Sequence, residues 1–98
     1  MIANPDIQVV RQIVLDGLRN HAAKVYLFGS QAKGVARKTS DIDVAIWPEQ
    51  SLPAGLLSDI RQDLENSDIL FNVDLVDLSN VDDDFRQKVI KEGILWSD

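Results

Sequence analysis

Between Ser40 and Trp47 the chain alternates without a break. Ile42, Val44 and Ile46 fall on one side of an extended segment, and Asp41, Asp43 and Ala45 fall on the other. Side chains along a strand point to opposite faces with period two, so the pattern predicts a strand with one apolar and one acidic face. Such a strand constrains everything around it. Its apolar face needs a covering layer of helices, whereas Asp41 and Asp43 project together, roughly 6–7 Å apart at the backbone from the rise per residue. Pro48 ends the segment.

The neighbouring patterns supply the rest of a small sheet and its helices. Asn4-Pro5 predicts a helix start, with an N-cap followed by proline at the first helical position. Ile7, Val10, Val14 and Leu18, with Ile13 beside them, then share one face through about Asn20. Lys24 to Phe28 is a β-prone run stopped by Gly29. Gly29-Ser30 opens a tight turn that Gly34 closes, and Val35 to Thr39 reads as loop. Leu52, Leu56, Leu57, Ile60 and Leu64 recur at helical spacing up to a stop at Glu65-Asn66-Ser67. Val73 to Leu78 alternates again, with Asp74, Val76 and Leu78 on one side. Asp82-Asp83-Asp84 opens a last helix carrying Phe85, Val89 and Ile90, which ends before Gly93. The order predicts an α/β (α+β) domain, a small mixed sheet with helices packed on one face. The opposite face is left to a site or a partner. At 98 residues, with no repeat or linker, the expectation is a single domain over residues 1–98.

Composition narrows the chemistry. Zero cysteines exclude disulfides, thiolate zinc sites and cysteine nucleophiles, and the lone His21 cannot build a His-rich metal site. Ten Lys and Arg against 16 Asp and Glu leave a net charge of −6, which argues against direct nucleic-acid binding. No apolar run approaches the ~20 residues that span a bilayer, so no membrane partner is expected. The N-terminus has neither the basic stretch nor the apolar core of a signal peptide, so the expected location is cytoplasmic. One segment breaks the acidic trend: Lys33, Arg37 and Lys38 lie between Gln31 and Ser40 with no acid among them.

Three carboxylates and a glycine turn carry the chemistry. Asp41 and Asp43 share a strand face, and Asp74 stands on the polar side of a second strand. Carboxylates crowded on one face repel unless a cation lies between them, and oxygen donors of this kind suit Mg²⁺. Gly29 lets the backbone approach a ligand, while Ser30 offers a hydroxyl and main-chain N–H groups, the makings of a phosphate cradle. Lys33, Arg37 and Lys38 follow directly and would neutralise a polyphosphate. Phosphate donors beside metal carboxylates form the two halves of a nucleotidyl-transfer site of the two-metal kind.

Gly29-Ser30, ten intervening residues and Asp41-Ile42-Asp43 resemble the signature of the polymerase-β-like nucleotidyltransferase superfamily. The fuller stretches Leu27 to Gly34 and Ser40 to Ile46 are similar to its minimal nucleotidyltransferase (MNT) branch, and Val73 to Leu78 resembles that family's third-carboxylate strand. Lys33 stands where arginine is common. The resemblance implies a toxin–antitoxin system in which a HEPN-domain RNase is the toxin and the MNT protein its antitoxin. Neutralisation is then by Mg²⁺-dependent transfer of AMP from ATP to a tyrosine of the toxin (AMPylation), by direct complex formation, or both. It implies an enzyme, a protein adenylyltransferase with catalytic Asp41, Asp43 and Asp74 as metal ligands, and with Gly29, Ser30, Lys33 and Arg37 binding nucleotide. Two other readings stand beside it: a non-catalytic antitoxin that masks the toxin, and a small-molecule nucleotidyltransferase. The short chain speaks against the latter, since no second lobe is left to recognise an acceptor.

The remaining conspicuous residues have plainer readings. Asp82, Asp83 and Asp84 complement a helix N-terminus, and Asp77 faces away from Asp74. His21 follows a helix end, where capping is the simpler role. Trp47 and Trp96 fit either a core or an interface, with Trp96, near the C-terminus, a reasonable partner anchor.

Overall fold

The computed structural model describes residues 5–29, 41–69 and 72–96. Helix α1 (Pro5–Gly17) leads into β1 (Ala23–Phe28), β2 (Ile42–Pro48), α2 (Leu56–Glu65), β3 (Val73–Asp77), a 3₁₀ turn (Leu78–Asn80), α3 (Asp83–Glu92) and β4 (Ile94–Leu95). The strands form one mixed sheet in the order β3-β2-β1-β4. β1 runs antiparallel to both β2 and β4, whereas β2 and β3 are parallel. A parallel pair needs a crossover, and α2 supplies it.

The alternation in β2 divides the core. Ile42, Val44 and Ile46 are fully buried with Val25, Leu27 and Leu75 on one face, under Val10, Val14 and Leu18 from α1 and its following turn and Ile60 and Leu64 of α2. Gly17 lets the two helices close up, since a Cβ there would meet Ile60 Cγ1 at 2.6 Å. That residue also ends α1 earlier than the apolar pattern suggests. Leu18 to His21 continue as a turn, with the His21 N–H donating to the Leu18 carbonyl at 2.8 Å.

The expected helical layer holds for α1 and α2; α3 lies on the other face. Val89 is buried there with Tyr26, Ala45 and Leu78, and Phe85 and Ile90 pack against the same cluster. The reason is the sheet's second face, which is acidic only at one end. Tyr26, Ala45 and Val76 continue it as apolar surface, and α3 has the apolar stripe to cover them. Asp82 caps α3 by accepting from the Phe85 N–H at 2.8 Å, as its position before an apolar stripe predicts. Arg86 secures the approach to the helix. It donates to the Leu78 and Val81 carbonyls at 2.9 and 3.1 Å, and its guanidinium sits 5.7 Å from the Trp47 ring centroid.

Trp96 is a core residue rather than a partner anchor. It is 9% exposed within the α1–α2 cluster. Its backbone N–H donates to the Val25 carbonyl at 2.7 Å, and its backbone carbonyl accepts from Arg11 Nη2 at 3.3 Å. The two-residue β4, which the sequence pattern does not announce, draws it in by pairing with Tyr26 and Leu27. No helix among the described residues is long and apolar enough to cross a membrane.

Candidate functional site

Strand register assembles the site. Phe28, the last residue of β1, is the cross-strand partner of Asp43, and Asp43 is the partner of Asp74 on β3. Partners across a ladder share a face, so Phe28, Asp43 and Asp74 form one row across three strands, each step roughly 4.8 Å. Antiparallel β1 brings its C-terminal end, and with it Gly29, beside the N-terminal end of β2. Parallel β3 brings its own N-terminal end to the same edge. The Ile42 N–H donates to the Asn72 carbonyl at 2.9 Å and holds the two strand starts together.

Asp41 and Asp74 are exposed, while Asp43 is half-buried. Burial pushes the Asp43 carboxyl above its ordinary value, and the charges of Asp74 and then Asp41 push it in the same direction. Behind the row, the sheet face turns apolar at Ala45, and Phe28 meets Phe85 of α3 edge-on, with ring centroids 5.9 Å apart at 84°. The acids therefore stand at the margin of a dry surface, where charges interact more strongly than in water. In the sequence Phe28 is simply the end of a strand. Nothing in the sequence pairs it with Asp43 until the register of β1 on β2 is known.

The three carboxylates feel one another without closing into a ready-made cluster, since no three acidic or imidazole side chains among the described residues converge as metal ligands. The donor set still fits a hard divalent cation. Mg²⁺ is commonly held by one or two carboxylates with substrate phosphates and water completing its shell. A half-buried carboxylate under repulsion from two others is the donor that gains most from a cation.

Gly29 has φ +76°, a backbone conformation favouring glycine. It stands against Asp43: a Cβ at Gly29 would lie 3.3 Å from Asp43 Cγ and overlap Oδ2. Ser30, Lys33, Arg37 and Lys38, with the turn closed by Gly34, lie outside the described residues. Asp77 points away from the row, as expected. Its carboxylate accepts from the Ser79 N–H and hydroxyl at 2.9 and 2.5 Å. His21 lines a separate groove of about 190 Å³ with Asn20 and Glu49 at the opposite end of the sheet. A larger cavity of about 320 Å³, lined by Ser51, Ser58, Asp77 and Asn80, lies at that same end and touches no acid of the row.

Comparison with known proteins identifies the family. The family model "Polymerase beta, Nucleotidyltransferase" matches residues 14–97. MntA of Haemophilus influenzae is 31% identical over 90 residues, covering 92% of this chain and 77% of that protein. The protein adenylyltransferase MntA of Shewanella oneidensis is 34% identical over 73 residues, 74% of this chain, so that the chain matches about half (52%) of that relative. Among solved structures, a chain in the complex of a tri-AMPylated Shewanella oneidensis HEPN toxin with its MNT antitoxin superposes with a TM-score of 0.62 at 27% identity, covering 92% of this chain and 71% of that one. A match over most of the sequence and the same fold in three dimensions lead to one conclusion: the chain belongs to the polymerase-β nucleotidyltransferase family, in its minimal nucleotidyltransferase branch.

Proposed function

We propose that the protein is the antitoxin of a HEPN toxin and neutralises it as a protein adenylyltransferase, moving AMP from ATP to a tyrosine hydroxyl of the toxin. The observation that carries this reading is the side-by-side placement of Asp43 and Asp74 next to the Gly29 turn. It gains support from relatives named protein adenylyltransferase and from a similar chain seen with an AMPylated HEPN toxin.

Asp41 and Asp43 would hold Mg²⁺, with Asp74 as a further oxygen donor. The chemistry supplied by a bound cation would be neutralisation of the phosphates and stabilisation of the departing pyrophosphate. Gly29 admits the triphosphate to the backbone, and Ser30, Lys33 and Arg37 supply its polar and cationic contacts. Asp74 orients the attacking hydroxyl and accepts its proton. The tyrosine oxygen bonds to the α-phosphorus as the bond from that phosphorus to the bridging oxygen breaks, so pyrophosphate leaves and AMP stays on the toxin. The exposure of Asp74 suits a group that must meet a partner's side chain.

The test is to incubate the protein with purified toxin, ATP and Mg²⁺, and to weigh the toxin by mass spectrometry. Added mass in AMP steps is the expected result. Full neutralisation without added mass would replace transfer by masking.

A further inference from the structure

The Asp43 carboxylate has a neighbour on each side. On β3 it meets Asp74, a like charge at the same register. Just past the end of β1 it meets Gly29, and Asp43 Oδ2 occupies the space that a Cβ there would fill. Repulsion from Asp74 disfavours a lean toward β3, and the missing side chain permits one toward β1. We infer that Gly29 is a positioning residue for Asp43: the gap left by its absent side chain is the seat of the Asp43 carboxylate. This role differs from that of letting phosphates approach the backbone, because it operates with no nucleotide bound.

Gly55 provides the control. Its φ of +86° matches the conformation at Gly29, yet a Cβ on Gly55 would meet nothing within 4 Å. An alanine at either site suffers left-handed backbone strain. Only Gly29→Ala also evicts a carboxylate, pressing it back toward Asp74. The two contributions separate in a double-mutant cycle, since side chains in contact couple and distant ones add.

The experiment compares melting temperatures of the metal-free protein for Gly29→Ala, Gly55→Ala, Asp43→Ala and each glycine variant combined with Asp43→Ala. Gly29→Ala should lower the midpoint more than Gly55→Ala, and the excess should vanish in the Asp43→Ala background. If Gly29→Ala alone does not fold, recovery of a folded protein by adding Asp43→Ala supports the seat equally. An equal loss in both backgrounds, or no recovery, overturns it. Mn²⁺ titration without nucleotide is the second measurement, and it rests on the reading of Asp43 as a cation-holding carboxylate. Folded Gly29→Ala should bind Mn²⁺ at least about tenfold more weakly, as expected when a ligand loses its support. Wild-type affinity in that variant would refute a positioning role toward the metal. A wild-type protein that binds no Mn²⁺ would instead count against the metal reading of Asp43, leaving the melting cycle to decide the seat.

Discussion

Asp43 and Asp74 stand at the same register on parallel strands β2 and β3, on the sheet face whose other end is packed under α3. Two acids so placed cost stability in the bare protein and become useful when a cation or a proton relieves them.

Without divalent cations, Asp43→Asn should raise the melting temperature at neutral pH. The folded protein holds the Asp43 carboxyl above its ordinary value. Above that raised value both folded and unfolded chains carry the charge, and the folded chain bears a penalty for it. Below the ordinary carboxylate value both are protonated and the penalty is gone. The gain should therefore shrink as pH falls through the carboxylate range. A gain of the same size at acid pH would show that the charge of Asp43 is not its source.

Divalent cation with ATP should stabilise the wild-type protein, because a ligand that binds only the native state raises its melting temperature. Combined Asp41→Asn and Asp43→Asn should abolish that shift and leave the fold intact. Differential scanning fluorimetry at matched ATP, with Mg²⁺ or Mn²⁺ varied, measures it. A persisting shift would remove these two residues from the site.

Asp74→Asn separates transfer from binding. The change is nearly isosteric, so a complex with the HEPN toxin should form as before, whereas AMP transfer should fall by about 100-fold or more, the usual scale for losing a general base. Size-exclusion chromatography reports the first and intact-mass kinetics the second. An unimpaired rate would mean that the hydroxyl loses its proton elsewhere.

Trp96→Ala should cost about 3 kcal/mol of stability, the low end for emptying a buried tryptophan site. Trp96 packs in the α1–α2 core and is almost closed to solvent. Urea unfolding measures the loss. If stability is unchanged while toxin binding drops, Trp96 belongs to an interface after all.

Much of this protein is legible in its sequence because the relevant signals are local. Ile42, Val44 and Ile46 alternating with Asp41, Asp43 and Ala45 specify a strand and its two faces through the period of extended backbone. Asp82 before an apolar stripe specifies a capped helix, and Gly29 with Asp41-Ile42-Asp43 specifies the family. These features need no knowledge of what lies across the sheet. Other features came only with tertiary structure, because they depend on residues far apart in the chain. The side of the sheet that α3 covers follows from apolar area at Tyr26, Ala45 and Val76, which three strands pool. The burial of Trp96 follows from a two-residue strand too short to leave a periodic signal. The row of Phe28, Asp43 and Asp74 exists because one neighbour of β2 is antiparallel and the other parallel, which brings one strand end and two strand beginnings to a single edge. Composition and spacing name the acids; strand direction and register decide that they meet, since backbone hydrogen bonding between segments distant in sequence sets which side chains become neighbours.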